Sequence, residues 1–164
     1  MFWNTAGDLG LTFFSLLPLL PKIGSNTNIS SVIENDQTYG LFKTNHNEAI
    51  FWSGRTDGVG GAEVASAFAK RNNGITLEDF IQSYMIKMPQ WDLNNPISIK
   101  TWENASSAYA TQASGEVRAI IGSNLRQNSL WETIELPTLL KNKNVTKITT
   151  IDPKTLKETV IFRR

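Results

Sequence analysis

The carboxylates and tryptophans of this chain carry most of its capacity for chemistry. Cysteine is absent, and His46 is the one histidine among 164 residues. These counts exclude a thiol nucleophile, a zinc–thiolate site and a mechanism that needs two histidines. Carboxylates stabilise developing positive charge, and the faces of indole rings attract cations. Together they suit a cationic transition state, and cleavage of a glycosidic bond through an oxocarbenium-like state is a common reaction of that kind.

Five short segments hold the candidate residues. One of them is the polar loop at 122–129, which follows a predicted strand. In this loop, Arg126 and backbone amides could hold a phosphate. The segments are FWSG at 51–54, TLED at 76–79, NNP at 94–96 leading into Trp102 and Ser106, GSNLRQNS at 122–129, and NSLWETIEL at 128–136, which contains Glu135.

In this order and spacing the segments resemble the ADP-ribosyl cyclase and NAD glycohydrolase family, known from animal cell surfaces and sea-slug ovotestis. The matching pieces lie between about residues 45 and 151, and they are EAIFWSG, TLED with the apolar helix after it, NNPISI with Trp102, and NSLWETIE. The resemblance implies an NAD(P) glycohydrolase that forms ADP-ribose and nicotinamide, with a minor cyclase activity. NAD or NADP would be the substrate, and neither a cofactor nor a metal is expected.

The resemblance also implies a role for each matched residue. Glu135 matches the catalytic glutamate, which engages ribose hydroxyls and stabilises the oxocarbenium ion. Trp52 and Trp102 match the tryptophans that wall the nicotinamide pocket, and Glu78 matches an acid that favours hydrolysis over cyclisation. The expected catalytic residues are therefore Glu135, Glu78 and Trp102, and the expected substrate-binding residues are Trp52, Ser53, Asp79, Ser106, Arg126 and Ser129.

The chain departs from the animal enzymes in several ways, among them the position of Trp102, which lies one residue later after NNP than in the animal surface enzyme. It has no cysteine for their disulfides, and Gly54 follows the Trp–Ser pair where the animal surface enzyme has arginine. Absence of cysteine suits activity in a reducing compartment. The apolar stretch at 9–20 resembles the region before C-terminal toxin modules of large secreted bacterial proteins. We therefore expect a toxin domain of a secreted or cell-surface polymorphic or contact-dependent inhibition protein, which acts in the target-cell cytoplasm and has a cognate immunity protein.

Two other functions stay open at this point. An RNA-cleaving toxin could use the stretch from Lys141 to Arg164, which holds seven basic and two acidic residues. The same stretch is also typical of a solvated sheet edge, and a net charge of +1 argues against bulk attraction to nucleic acid. A binding module without catalysis would tolerate replacement of Glu135. The apolar stretch at 9–20 is too short and too interrupted by glycine and proline for stable membrane insertion.

The surrounding elements predict how these residues are positioned. Periodicity predicts helices at 61–71, 76–89 and 97–111, then strands at 117–123, 129–136, 145–151 and 158–162. With the resemblance, this implies an α+β fold with a helical N-terminal lobe (about 45–114) and a small, mostly parallel β-sheet lobe (about 115–164) with flanking helices. Residues 1–44 are expected to be an apolar linker and loop segment. Glu78 and Asp79 also suit a helix N-terminus, and Trp91 and Trp131 are expected in the core.

Overall fold

The computed structural model describes residues 41–164, and residues 1–40, with the apolar stretch at 9–20, lie outside the described part. The described chain begins inside the core, because Phe42 is fully buried with its ring 5.7 Å from that of Phe80. Residues 41–44 therefore belong to the packed fold, although the sequence placed them in a linker.

A mixed five-stranded sheet forms the centre of the described structure, in the order β4-β1-β5-β6-β7. The first four strands are parallel, and β7 runs antiparallel to β6. A two-stranded antiparallel pair, β2–β3, directly follows β1. The strands are β1 (Ala49–Ser53), β2 (Arg55–Thr56), β3 (Val59–Gly60), β4 (Ile75–Thr76), β5 (Gly115–Ile121), β6 (Val145–Ile151) and β7 (Glu158–Arg163).

Helices cover both faces of this sheet. They are α1 (Ala62–Arg71), α2 (Leu77–Ser83), α3 (Pro96–Gln112) and α4 (Leu136–Lys141), with a π-helical turn at Trp131–Glu135 that leads into α4. Side chains alternate along β1, so that Ile50 packs with α1 and Phe51 packs with α2, α3 and α4. Within residues 41–164, no helix has the length and apolar character needed to cross a membrane.

The α+β class and the mostly parallel sheet are confirmed. The structure does not show the predicted division into a helical lobe and a sheet lobe near residue 115. Strands β1 and β4 lie in the same sheet as the later strands. Ile50 and Phe51 belong to a short apolar run buried on both faces, which is typical of a central parallel strand. The sequence had placed this segment at the start of a helical lobe.

The predicted helices at 61–71 and 97–111 and the predicted strands at 117–123, 145–151 and 158–162 match α1, α3, β5, β6 and β7. Helix α2 is shorter than predicted, since it ends at Ser83 rather than near residue 89. Met85 adopts a left-handed φ of 51°, and the Ile86 N–H donates to the Ile81 carbonyl. This is a Schellman ending, here with methionine at the position usually held by glycine.

The predicted strand at 129–136 is wrong, because this segment is helical. Ser129 and Glu132 form a capping box, in which the Glu132 N–H donates to the Ser129 hydroxyl at 3.4 Å and the Ser129 N–H donates to Glu132 Oε2 at 3.4 Å. Pro137 has no N–H and its ring excludes the ordinary bond to the carbonyl four residues back. The Leu136 N–H instead donates to the Trp131 carbonyl, five residues back, which gives the π turn.

Tyr109 joins α3 to the sheet. Its hydroxyl is fully buried, donates to the Ile75 carbonyl at 2.6 Å and accepts from the Ile50 N–H at 3.3 Å. The ring also lies 4.9 Å from that of Phe51. The position of α3 over β1 and β4 is therefore set by a hydrogen bond to each strand.

We expect Tyr109→Phe to lower the free energy of unfolding by about 1–3 kcal/mol, because two buried backbone groups lose their hydroxyl partner. Urea unfolding followed by circular dichroism measures this. Tyr84→Phe is the matched control, since Tyr84 is 41% exposed and should change stability little. Equal stability of the two variants would contradict the anchoring role of Tyr109.

Candidate active site

A cavity of about 420 Å³ lies at the carboxyl ends of β1 and β5. From β1 the chain passes through α1 to β4, and from β5 it passes through α4 to β6 on the other side. The two connections leave adjacent strands in opposite directions and on opposite faces, so a crevice opens between them. Such a crevice is the usual place for a ligand site in a parallel sheet.

Eight of the nine residues predicted for the site line this cavity. They come from β1, the start of α2, the middle of α3, the loop after β5 and the π turn. These eight are Trp52, Ser53, Glu78, Trp102, Ser106, Arg126, Ser129 and Glu135.

Asp79 is the predicted residue that the structure does not bring into the cavity. Its carboxylate accepts hydrogen bonds from the hydroxyls of Ser66 at 2.9 Å and Thr76 at 3.0 Å. Its backbone N–H donates to the Thr76 hydroxyl at 3.1 Å. Asp79 therefore holds Thr76, the N-cap residue of α2, and ties α2 to α1, so the predicted substrate contact has no support in its position.

Glu78 reaches the cavity from the first turn of α2. Its Oε1 accepts a hydrogen bond from Trp52 Nε1 at 3.0 Å. Its Oε2 is buried and has no partner among the described residues. Burial raises the pKa of Glu78, and the bond from Trp52 opposes that rise. One oxygen thus fixes an indole ring, and the other stays available.

Glu135 lies at the end of the π turn and is only 8% exposed. Burial raises the pKa of its carboxyl to about 8; the Ser106 hydroxyl opposes this rise, and the nearby Glu78 adds to it. Glu135 is therefore largely protonated at neutral pH. A cation that enters the cavity would favour its ionised form.

Indole rings form much of the cavity wall. Trp102 is held by a hydrogen bond from its Nε1 to the Pro89 carbonyl at 2.9 Å. Trp131 packs against Phe51 at 6.1 Å between ring centroids and also lines the cavity, as does Trp91. We expected Trp91 and Trp131 only in the core. Trp91 stands in a loop outside any apolar periodicity, and that position was a signal for a ligand-facing role.

The structure explains the glycine after the Trp–Ser pair. Gly54 has a φ of 70°, and a β-carbon there would lie 2.6 Å from the Asn124 carbonyl oxygen. The next residue, Arg55, turns its guanidinium to the Gly60 carbonyl at 2.8 Å. Among the described residues, the cation that lines the cavity is therefore Arg126, from the loop after β5.

Within residues 41–164, no group of three or more His, Asp or Glu side chains is placed to hold a metal ion.

No family model matches the sequence, and no curated protein matches it. Solved structures do match. Aplysia cyclase, in complex with the substrate NGD and the product cGDPR, is 25% identical with a TM-score of 0.52, over 67% of this chain and 50% of that chain. An ADP-ribosyl cyclase in complex with N1-cIDPR is 23% identical with a TM-score of 0.53, over 74% and 55%. A CD38 structure is 22% identical with a TM-score of 0.50, over 68% and 52%.

The chain has the ADP-ribosyl cyclase fold. It spans about half the length of these solved structures.

The raised pKa of Glu135 makes stability depend on pH. The unfolded chain loses this proton near pH 4.5, whereas the folded protein keeps it until about pH 8. The free energy of unfolding should therefore fall as pH rises between those values, by at most about 1.4 kcal/mol per pH unit. We expect Glu135→Gln to flatten this fall, since glutamine does not titrate.

Urea unfolding at several pH values tests this expectation. Glu132→Gln is the control, because Glu132 is exposed and glutamine also completes a capping box. The Glu132 variant should keep the pH dependence of the wild type. If the two variants had the same pH profile, the buried proton would not belong to Glu135.

Proposed function

We propose that this protein is an NAD(P) glycohydrolase, which cleaves the nicotinamide–ribosyl bond to give nicotinamide and ADP-ribose, with a minor ADP-ribosyl cyclase activity. The observation that carries the proposal is the pair of largely buried carboxylates, Glu78 and Glu135, in a cavity walled by tryptophans. A ligand with a cationic ring would supply the positive charge that two buried carboxylates need. The fold shared with an Aplysia cyclase solved with its substrate NGD supports the same conclusion.

The proposed reaction uses Glu135 as an anion beside the ribose. The positive pyridinium ring of the substrate favours the ionised carboxylate, so binding releases the proton that the empty site holds. When the ribose–nitrogen bond breaks, its electron pair returns to the ring and neutral nicotinamide leaves. The carboxylate then stabilises the oxocarbenium ion that remains. Water adds to that cation, a proton is lost, and ADP-ribose forms.

The other residues hold the two ends of the substrate. The rings of Trp52 and Trp102 would wall the nicotinamide, and the free oxygen of Glu78 would accept from its carboxamide. The phosphates would lie near Arg126 and the hydroxyls of Ser53, Ser106 and Ser129.

We also propose that the activity serves as an antibacterial toxin, which depletes NAD in the cytoplasm of a target cell and is neutralised by an immunity protein. The support is the absence of cysteine, which suits a reducing compartment. The RNA-cleaving alternative is weakened because three of the seven basic residues in the C-terminal stretch already have partners in the fold. Within it, Lys147 pairs with Glu116, Lys154 pairs with Asp57, and Arg164 donates to backbone carbonyls.

Glu135→Gln should lower NAD turnover by about 100-fold or more, on the order of 3 kcal/mol, because the oxocarbenium ion loses its stabilising charge. Glu132→Gln should stay near the wild-type rate. Release of nicotinamide and ADP-ribose, measured by chromatography, gives both rates. Bacteria that express the wild type should lose NAD and stop growing, whereas cells with the Glu135 variant should not.

RNA serves as the second substrate in the same assay. Cleavage of RNA with intact NAD would overturn the proposed reaction. Equal NAD turnover by the Glu135 variant and the wild type would instead remove Glu135 from the mechanism.

Glu78→Leu should shift the products toward cyclic ADP-ribose while NAD is still consumed, since Glu135 remains to stabilise the cation. Glu78→Gln is the matched control, because an amide oxygen can still accept from Trp52 Nε1. Chromatography separates the linear and cyclic products. A wild-type product that is already mainly cyclic would refute the role given to Glu78 and leave that of Glu135 standing.

A further inference from the structure

Strand β7 forms an open edge of the central sheet. It is the last strand in the order β4-β1-β5-β6-β7 and pairs with β6 on one side only. Five of its six residues are exposed, and they include the apolar Val160 and Ile161 at the centre of the strand, which are 47% and 45% exposed. An open edge with apolar residues at its centre is a template for a further strand.

Opposite charges stand at the two ends of β7. Glu158 begins the strand and Arg163 ends it, and both side chains are exposed. Among the described residues, neither forms an ion pair. They pair with Ile151 and Lys147, which lie four residues apart on β6 and therefore point to the same face of the sheet. Because residues that pair across two strands share a face, Glu158 and Arg163 also lie on one face.

A bulge in β7 gives the two charges this common face. In a regular strand, two residues five positions apart point to opposite faces. The pairing of β7 with β6 skips Ile161, which has no residue opposite it and is therefore the extra residue of a bulge. Bulges also discourage pairing with a strand of unmatched shape. The edge is thus selective for a strand that has the same bend.

We propose that two copies of this chain pair antiparallel through β7, so that the sheet continues across a two-fold axis. Antiparallel pairing places Glu158 of each copy opposite Arg163 of the other, and Val160 of each copy beside Ile161 of the other. Two ion pairs and an apolar centre then arise from one six-residue sequence, as a two-fold interface requires. This inference does not depend on the proposed function.

An acidic partner protein is the other occupant that the basic C-terminal stretch would suit. A second copy is favoured because β7 itself carries one charge of each sign, and a strand with acidic residues at both ends would face Glu158 unfavourably. A strand of six residues spans only about 20 Å, so the contact is small and the dimer is weak.

Analytical ultracentrifugation of the full chain over a concentration series tests the proposal. The wild type should be a monomer at about 1 μM and largely a dimer at about 1 mM. Glu158→Arg and Arg163→Glu should each raise the dissociation constant of the dimer roughly 10-fold or more, because like charges then face each other twice in each dimer. Arg71→Glu is the matched charge control, since Arg71 is exposed on α1 and forms no ion pair among the described residues.

Two rescue experiments distinguish antiparallel pairing of β7 from other modes of association. The double variant, Glu158→Arg with Arg163→Glu, has opposite charges facing each other again and should dimerise as the wild type does. An equimolar mixture of the two single variants should dimerise more tightly than either variant alone, because every facing pair in the mixed dimer is opposite in charge. Circular dichroism should show that all variants are folded.

A wild type that stays monomeric at every concentration would overturn the proposal. If that monomer bound polyglutamate and Arg163→Glu abolished the binding, the edge would belong to an acidic partner instead. Association that is unchanged in both single variants would place the contact elsewhere in the chain and would also overturn the proposal. None of these outcomes bears on the proposed reaction, because no residue of β7 lines the cavity.

Discussion

The buried hydroxyl of Tyr109 links three elements on which the cavity depends. It bonds to a backbone group of β1 and to one of β4, and its ring belongs to α3. Ser106 lies one helical turn earlier and Trp102 one further turn back, on the face that approaches the ends of the strands. With α3 anchored in this way, the positions of Trp102 and Ser106 relative to Trp52 follow from the geometry of a helix.

Burial of two carboxyl groups in one cavity has an electrostatic cost. Two carboxyl groups lie close enough for Glu78 to raise the pKa of Glu135, and both are held in largely apolar surroundings. An ionised pair without a cation would be expensive there, so Glu135 stays protonated. A positively charged substrate relieves this cost, and part of its binding energy comes from that relief.

The π turn places Glu135. Pro137 blocks the ordinary helical bond, and the turn widens by one residue just before α4. Trp131 and Glu135 are both buried and both line the cavity. Spaced four residues apart, they would share a side in a strand as well as in a helix.

Local sequence determined much of this protein. The α+β class, the positions of α1, α3, β5, β6 and β7, and the residue types at the site follow from periodicity and from short motifs whose order resembles a known family. The sequence also contains the capping box at Ser129 and Glu132 and the proline at 137. These local signals outweighed the alternation of apolar and polar residues that had predicted a strand.

Tertiary structure decided the rest. Glu78 and Asp79 are neighbouring acids, yet Asp79 bonds to the N-cap residue Thr76 and Glu78 lines the cavity. Their roles depend on where Ser66, Thr76 and Trp52 lie. Contacts between segments far apart in the chain bring β1 into the sheet, raise the pKa of Glu135 and stack Arg126 on Trp91. Such contacts leave no local pattern, because burial and distance exist only once the chain has folded.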